Sequence, residues 1–162
     1  MSTLKSLLII FNIFITTHSD LPTVDTYPAI IYISEQEIYW MYQECDEENK
    51  WIDKKCTKKE GDVGAAGLYD HETETIYLNK TYLDKKSPIV QNSIILHELV
   101  HHIQYEAGIL KDERICYGKK EMEAYRLQKL YLEQNGKDFF KEMEMNELFL
   151  LSILSVCDVW YY

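Results

Sequence analysis

Hydrophobic residues recur along this chain in several rhythms, and each predicts a different element. Residues 7–15 are almost unbroken apolar sequence behind a short polar start containing Lys5, and Thr17-His18-Ser19 closes the run. Residues 28–33 (Pro-Ala-Ile-Ile-Tyr-Ile) are short, apolar and β-favouring, which predicts a buried strand. A helix is expected directly after it. Ser34 and Glu37 have the S-x-x-E spacing of a capping box, and Ile38, Met41 and Tyr42 then share one face up to about Cys45. Residues 46–62 are charged and aperiodic, as in a loop. Gly61, Gly64 and Gly67 lead into two β-favouring runs, residues 68–70 and 75–79, around the polar stretch 71–74, which predicts a hairpin.

The second half reads as helical. Ser87-Pro88 places an N-cap before a proline at the first helical position, and Gly108 marks the far end of a helix that is apolar for most of its length. Another helix is expected over residues 119–135, with Met122, Tyr125, Leu127, Leu130 and Tyr131 as its apolar contacts and Gly136 at its end. Residues 139–162 are helical by pattern and most apolar over 148–156. Nine residues followed closely by Asp158 are too few to span a bilayer, so this segment is expected in the core. Short strands ahead of a run of helices, without internal repeats or low-complexity tracts, predict an α+β domain.

The first nineteen residues have the layout of a secretory signal peptide: one basic residue, a short apolar run interrupted by Asn12, then a polar end. That run is shorter than a membrane span. The expectation is therefore a signal peptide over residues 1–19, a single domain over residues 20–162, secretion or a periplasmic location, and no stable membrane span after cleavage. A net charge of −10 argues against nucleic acid as a partner. Cys45, Cys56, Cys116 and Cys157 form an even set in a chain bound for an oxidising compartment, so two disulfides are expected. Three connectivities are open, and Cys45–Cys56 with Cys116–Cys157 is favoured because the first pair closes a polar loop and the second staples the C-terminal segment. Neither pair has C-x-x-C spacing, which speaks against a thiolate metal site or a redox motif.

Within the longest predicted helix stands His97-Glu98-Leu99-Val100-His101, an H-E-x-x-H. His97 and His101 lie one helical turn apart and can share one ion, while Glu98 lies close enough to take a proton from an attacking water. The flanking Ile94, Ile95, Leu96, Leu99, Val100 and Ile103 bury this turn, and buried imidazoles need a partner. His102 is turned about 100° from His101 and cannot reach the same ion. Residues 102–108 contain no G-x-x-H, which excludes metzincin-type ligation. Carboxylates on the following helix remain as third ligand, with Glu121 and Glu123 as the two candidates.

The H-E-x-x-H followed by Glu121-Met122-Glu123-Ala124-Tyr125 resembles the gluzincins, zinc peptidases whose third ligand is a glutamate opening an E-x-x-A pattern on a later helix. The resemblance implies a minimal zincin-like fold, with a small sheet or hairpin packed on the H-E-x-x-H helix and further helices after it. It also implies His97, His101 and Glu121 as ligands of one zinc ion per chain, Glu98 as general base, and a peptide or protein as substrate. Tyr125 stands where many relatives carry an acidic residue supporting a ligand histidine. Zincins place a strand edge beside the catalytic helix to pair with extended substrate, and residues 75–79 are expected to supply it. His71, Tyr105 and Tyr125 are candidates for stabilising the oxyanion, with no choice among them. Two other readings stay open: a non-catalytic zinc-stabilised binding protein, and a zinc hydrolase of cell-wall peptides or another amide.

Overall fold

The computed structural model describes residues 3–43, 64–112 and 115–155. In chain order they form α1 (Thr3–His18), β1 (Ala29–Ile33), α2 (Glu35–Tyr42), β2 (Gly67–Asp70), β3 (Thr75–Asn79), α3 (Lys80–Leu83), α4 (Pro88–Glu106), α5 (Tyr117–Gln134), α6 (Phe139–Glu142) and α7 (Glu147–Leu154). The fold is α+β, with one small sheet and a majority of helix.

Local chemistry sets most of these boundaries. The capping box of α2 is complete, since Glu37 N–H donates to Ser34 Oγ and the Glu37 carboxylate accepts from Ser34 N–H at 2.8 Å. Asn79 caps α3 by accepting from Tyr82 N–H at 3.0 Å. Ser87 has N-cap backbone geometry ahead of Pro88, but its hydroxyl makes no capping bond. Two left-handed glycines end the long helices in the same way. After α4, Gly108 (φ +76°) donates to the Tyr105 carbonyl and Ile109 to that of Gln104; after α5, Gly136 (φ +70°) donates to Glu133 and Lys137 to Leu132. Each is a Schellman motif, in which glycine avoids the Cβ penalty of positive φ.

The sheet order is β1-β3-β2, with β1 parallel and β2 antiparallel to β3. Thr75, Ile76, Leu78 and Asn79 of β3 are buried accordingly. This corrects the expectation that residues 75–79 offer a free edge: both sides of β3 are taken, and β2 is the strand at the edge next to α4. Helix α4 runs through the middle of the domain. Every residue from Ser93 to Gln104 is buried, the pattern of a helix covered on all sides. The sheet, α1 and α5 provide the cover.

One segment differs from its expected place. Helix α7 has no buried residue; Leu148, Phe149 and Leu151 are exposed and only Leu150 leans on the core, so an apolar run expected inside lies at the surface. The loop before it, with Glu144 at φ 54°, separates α7 from α6, whose Phe139 is buried instead. Met122 likewise projects outward from α5.

Helix α1, the segment with the layout of an export signal, is packed as a core element. Leu8, Phe11 and Ile15 are buried in the central cluster, and Phe11 and Phe14 meet Tyr131 of α5 edge-on at 5.5 and 5.8 Å. Asn12 is buried too, donating to the Val24 carbonyl at 2.8 Å and to the Tyr27 hydroxyl at 3.1 Å. Polar Asn12 therefore has a packing reason to interrupt the apolar run. Each buried side chain of this kind contributes about 1.5–3 kcal/mol, and a whole domain is stable by only about 5–15 kcal/mol. A chain beginning at Asp20 is expected to melt at least ~10 °C below the full chain or to lose its cooperative transition. Equal melting temperatures by circular dichroism would show that α1 is dispensable.

Candidate metal centre

Helix α4 presents His97 and His101 on one side, and the buried face of α5 presents Glu121 to both. His97 Nε2 and His101 Nε2 are 3.2 Å apart, and the Glu121 oxygens lie 3.5 Å from the first and 3.3 Å from the second. Four-coordinate zinc-type ions hold nitrogen and oxygen at about 2.0–2.2 Å, which puts tetrahedral ligands roughly 3.3–3.5 Å from one another. All three residues are buried, and their ligand atoms converge as a group able to hold a metal ion. Glu121 is thus the carboxylate of the trio. Glu123 points elsewhere and pairs with Arg126 at 2.7 Å, which in turn donates to the His18 carbonyl of α1.

The protons of both histidines are placed by their partners. Gln104 Nε2 donates to the Lys120 carbonyl at 2.9 Å, so its oxygen faces His101 Nδ1 at 2.9 Å and accepts from it. Ser93 Oγ donates to the Val90 carbonyl at 2.8 Å and so accepts from Gln128 Nε2; the Gln128 oxygen then accepts from His97 Nδ1 at 3.1 Å. Both imidazoles consequently aim Nε2 at the space they share with Glu121. Neither glutamine stands out in the sequence, because a polar residue on an apolar helix face carries no motif.

Two buried nitrogens beside a carboxylate need a positive charge between them. A proton on His101 can supply it: burial pushes its pKa down, but the Glu121 carboxylate outweighs this and raises it to about 9. Glu121 is held well below the usual carboxylate range, since its two histidine partners outweigh its own burial.

Glu98 is buried, and it lies outside the trio. Burial raises its pKa, partly offset by His97 and His101, and it accepts a hydrogen bond from the Tyr69 backbone N–H of β2. The start of β2 lies hard against it. A Cβ on Gly67 would fall 2.8 Å from Glu98 Oε1 and 2.9 Å from its Cγ, so glycine is what lets strand and carboxylate approach.

His102 belongs to the fold. It is fully buried, with Nε2 donating to the Thr26 carbonyl at 3.2 Å and Nδ1 accepting from the Tyr69 hydroxyl at 3.0 Å. Among the three oxyanion candidates only Tyr125 touches a ligand, its ring 4.5 Å from that of His97. His71 is exposed and packs on Tyr105, over which Lys111 sits at 3.9 Å. Tyr117, one turn before Glu121 and not singled out by the sequence, hydrogen-bonds the Glu121 carboxylate and is half-exposed. Cys116 is disulfide-bonded; Cys45, Cys56 and Cys157 lie outside the described residues, and with them the expected pairing.

The domain of unknown function DUF6647 matches residues 2–150, from α1 into α7, and the chain belongs to that family. No curated protein and no solved structure matches it.

The proton on His101 makes a pH-dependent prediction. Its folded pKa of about 9 lies above the unfolded value of 6.5, so this stabilisation is full below about pH 6.5 and lost as pH rises through about 9. The chelated protein should lose melting temperature over that window, and a bound dication should abolish the loss and release about one proton near pH 7.5. A chelated protein whose melting is flat over the window would contradict this assignment.

Proposed function

We propose that this DUF6647 domain is a zinc-dependent peptidase, with His97, His101 and Glu121 as ligands of one zinc per chain and Glu98 as general base. The observation that carries the reading is the 3.2–3.5 Å triangle of two imidazole nitrogens and a carboxylate inside a folded core. Two imidazoles and one carboxylate suit zinc or iron(II), and the H-E-x-x-H spacing that sets Glu98 beside them favours zinc. Three protein ligands also leave a fourth position open, the arrangement of catalytic sites as opposed to closed structural ones.

When bound, zinc would polarise the scissile carbonyl and make an attacking water more acidic. Glu98 takes the proton of that water and delivers it to the leaving amine, a role suited to a carboxylate whose pKa is raised by burial. A purely structural metal site has no use for such a group, which favours hydrolysis over a non-catalytic binding role.

Edge strand β2 supports a peptide as substrate. Among the described residues its backbone pairs with β3 on one side; on the other, Tyr69 N–H is engaged by Glu98, and an extended chain laid there would pair with the remaining outward groups. The approach of Gly67 to Glu98 would bring such a chain close to the base. Tyr117 and Tyr125 lie beside Glu121, their phenols kept protonated by burial and by its charge; Tyr125, whose ring also meets that of His97, is the candidate to donate to a developing oxyanion. A location outside the reducing cytosol belongs to the same proposal and is supported by the bonded Cys116. The packing of α1 supports a form in which residues 3–18 stay with the domain.

Glu98→Gln is expected to retain one zinc per chain and to lower cleavage of a mixed peptide library by at least ~10²-fold, whereas Glu121→Ala loses both metal and cleavage. Full activity in Glu98→Gln would refute the role of that residue. Gly67→Ala should leave metal content unchanged but reduce turnover at least ~10-fold, because the added Cβ displaces the base. Wild-type turnover in that variant would show that Glu98 does not depend on its fit against β2.

A further inference from the structure

The support behind the two histidines is made of amides, and it is wired in one direction only. Each chain ends on a backbone carbonyl, which can accept but never donate. From His101 it runs Nδ1–H to Gln104, then Gln104 to the Lys120 carbonyl; from His97 it runs Nδ1–H to Gln128, Gln128 to Ser93, and Ser93 to the Val90 carbonyl. No proton along either path can be reversed without orphaning a buried group. Ser93, Gln104 and Gln128 are all at most 2% exposed, so water does not compete for these bonds.

The two paths also tie the site to separate parts of the fold. Gln104 reaches the first turn of α5, the helix that carries Glu121, from α4. Gln128 reaches back from α5 to the first half of α4 and also touches Met143 Sδ at 3.4 Å. Each histidine on α4 is thereby fixed against α5, and the distance between imidazoles and Glu121 is set by the same contacts that join the two helices.

The choice of amide over carboxylate has an electrostatic consequence. Glu121 already sets one negative charge against a dication. Carboxylates in place of Gln104 and Gln128 would leave the buried centre net negative and the ion less electron-demanding. Amides give the same acceptor geometry without that charge.

We propose that Gln104 and Gln128 are positioning residues of the metal centre, which lock His101 and His97 with Nε2 toward the ion while leaving its positive charge undiminished. This inference rests on the zinc reading above. Its test is zinc affinity in the full chain, by competition with a chromophoric chelator, together with the visible absorption bands of the cobalt-substituted protein.

Gln104→Leu and Gln128→Leu, which remove the acceptor at similar volume, should each weaken zinc binding by about 10–100-fold and change the cobalt bands. Gln104→Glu and Gln128→Glu restore an acceptor and should bind zinc at least as tightly as wild type, with cobalt bands close to its own. Ser93→Ala, which keeps Gln128 but removes its anchor, should weaken binding by less than Gln128→Leu and decides the His97 path if that variant does not fold. Wild-type affinity and cobalt bands in the Leu variants, or in Ser93→Ala where it stands in, would overturn the inference while leaving the zinc site intact. A wild-type chain that takes up neither zinc nor cobalt would overturn both.

Discussion

The structure turns on one electrostatic demand: two imidazole nitrogens and a carboxylate stand within 3.5 Å of one another in a largely buried site. In water such a cluster would need no special arrangement, but in a buried site uncompensated polar atoms cost several kcal/mol. A cation between them meets the demand, and the rest of the fold keeps the three groups from moving apart to meet it in another way. The Schellman motifs stop α4 and α5 at defined points, the amide paths join the two helices across the site, and the surrounding apolar cluster holds both rigid.

The same rigidity separates the roles of the two buried glutamates. Glu121 faces both imidazoles and is driven toward its ionised form, whereas Glu98 faces the backbone of β2 and is driven toward its protonated form. Two carboxylates with opposite shifts in one site are what a ligand and a proton carrier require. Position relative to the sheet makes the difference, since Glu98 packs against the start of an edge strand that begins with glycine.

Much of this is legible in the sequence. The H-E-x-x-H fixes His97 and His101 on one helical face by spacing alone, and S-x-x-E, Ser-Pro and the two helix-ending glycines delimit elements through backbone chemistry that needs no tertiary contact. What escapes is what depends on long-range packing. Gln104 and Gln128 have no motif, because their task is defined by partners 16 and 35 positions away. The order of strands was hidden for the same reason: residues 67–70 and 75–79 read equally well as an edge until β1 takes the far side of β3. An apolar run has no sign for inside or outside when it is short, which is why the pattern over 148–156 points to the core while α7 lies at the surface.

The central claim is that a single ion sits among two imidazoles and one carboxylate, and zinc-edge X-ray absorption on the purified full-length protein tests it most directly. The account predicts a first shell of nitrogen and oxygen only, at about 2.0–2.1 Å, with the outer-shell scattering of two imidazole rings. A sulfur shell near 2.3 Å, or outer scattering from fewer than two rings, would contradict it.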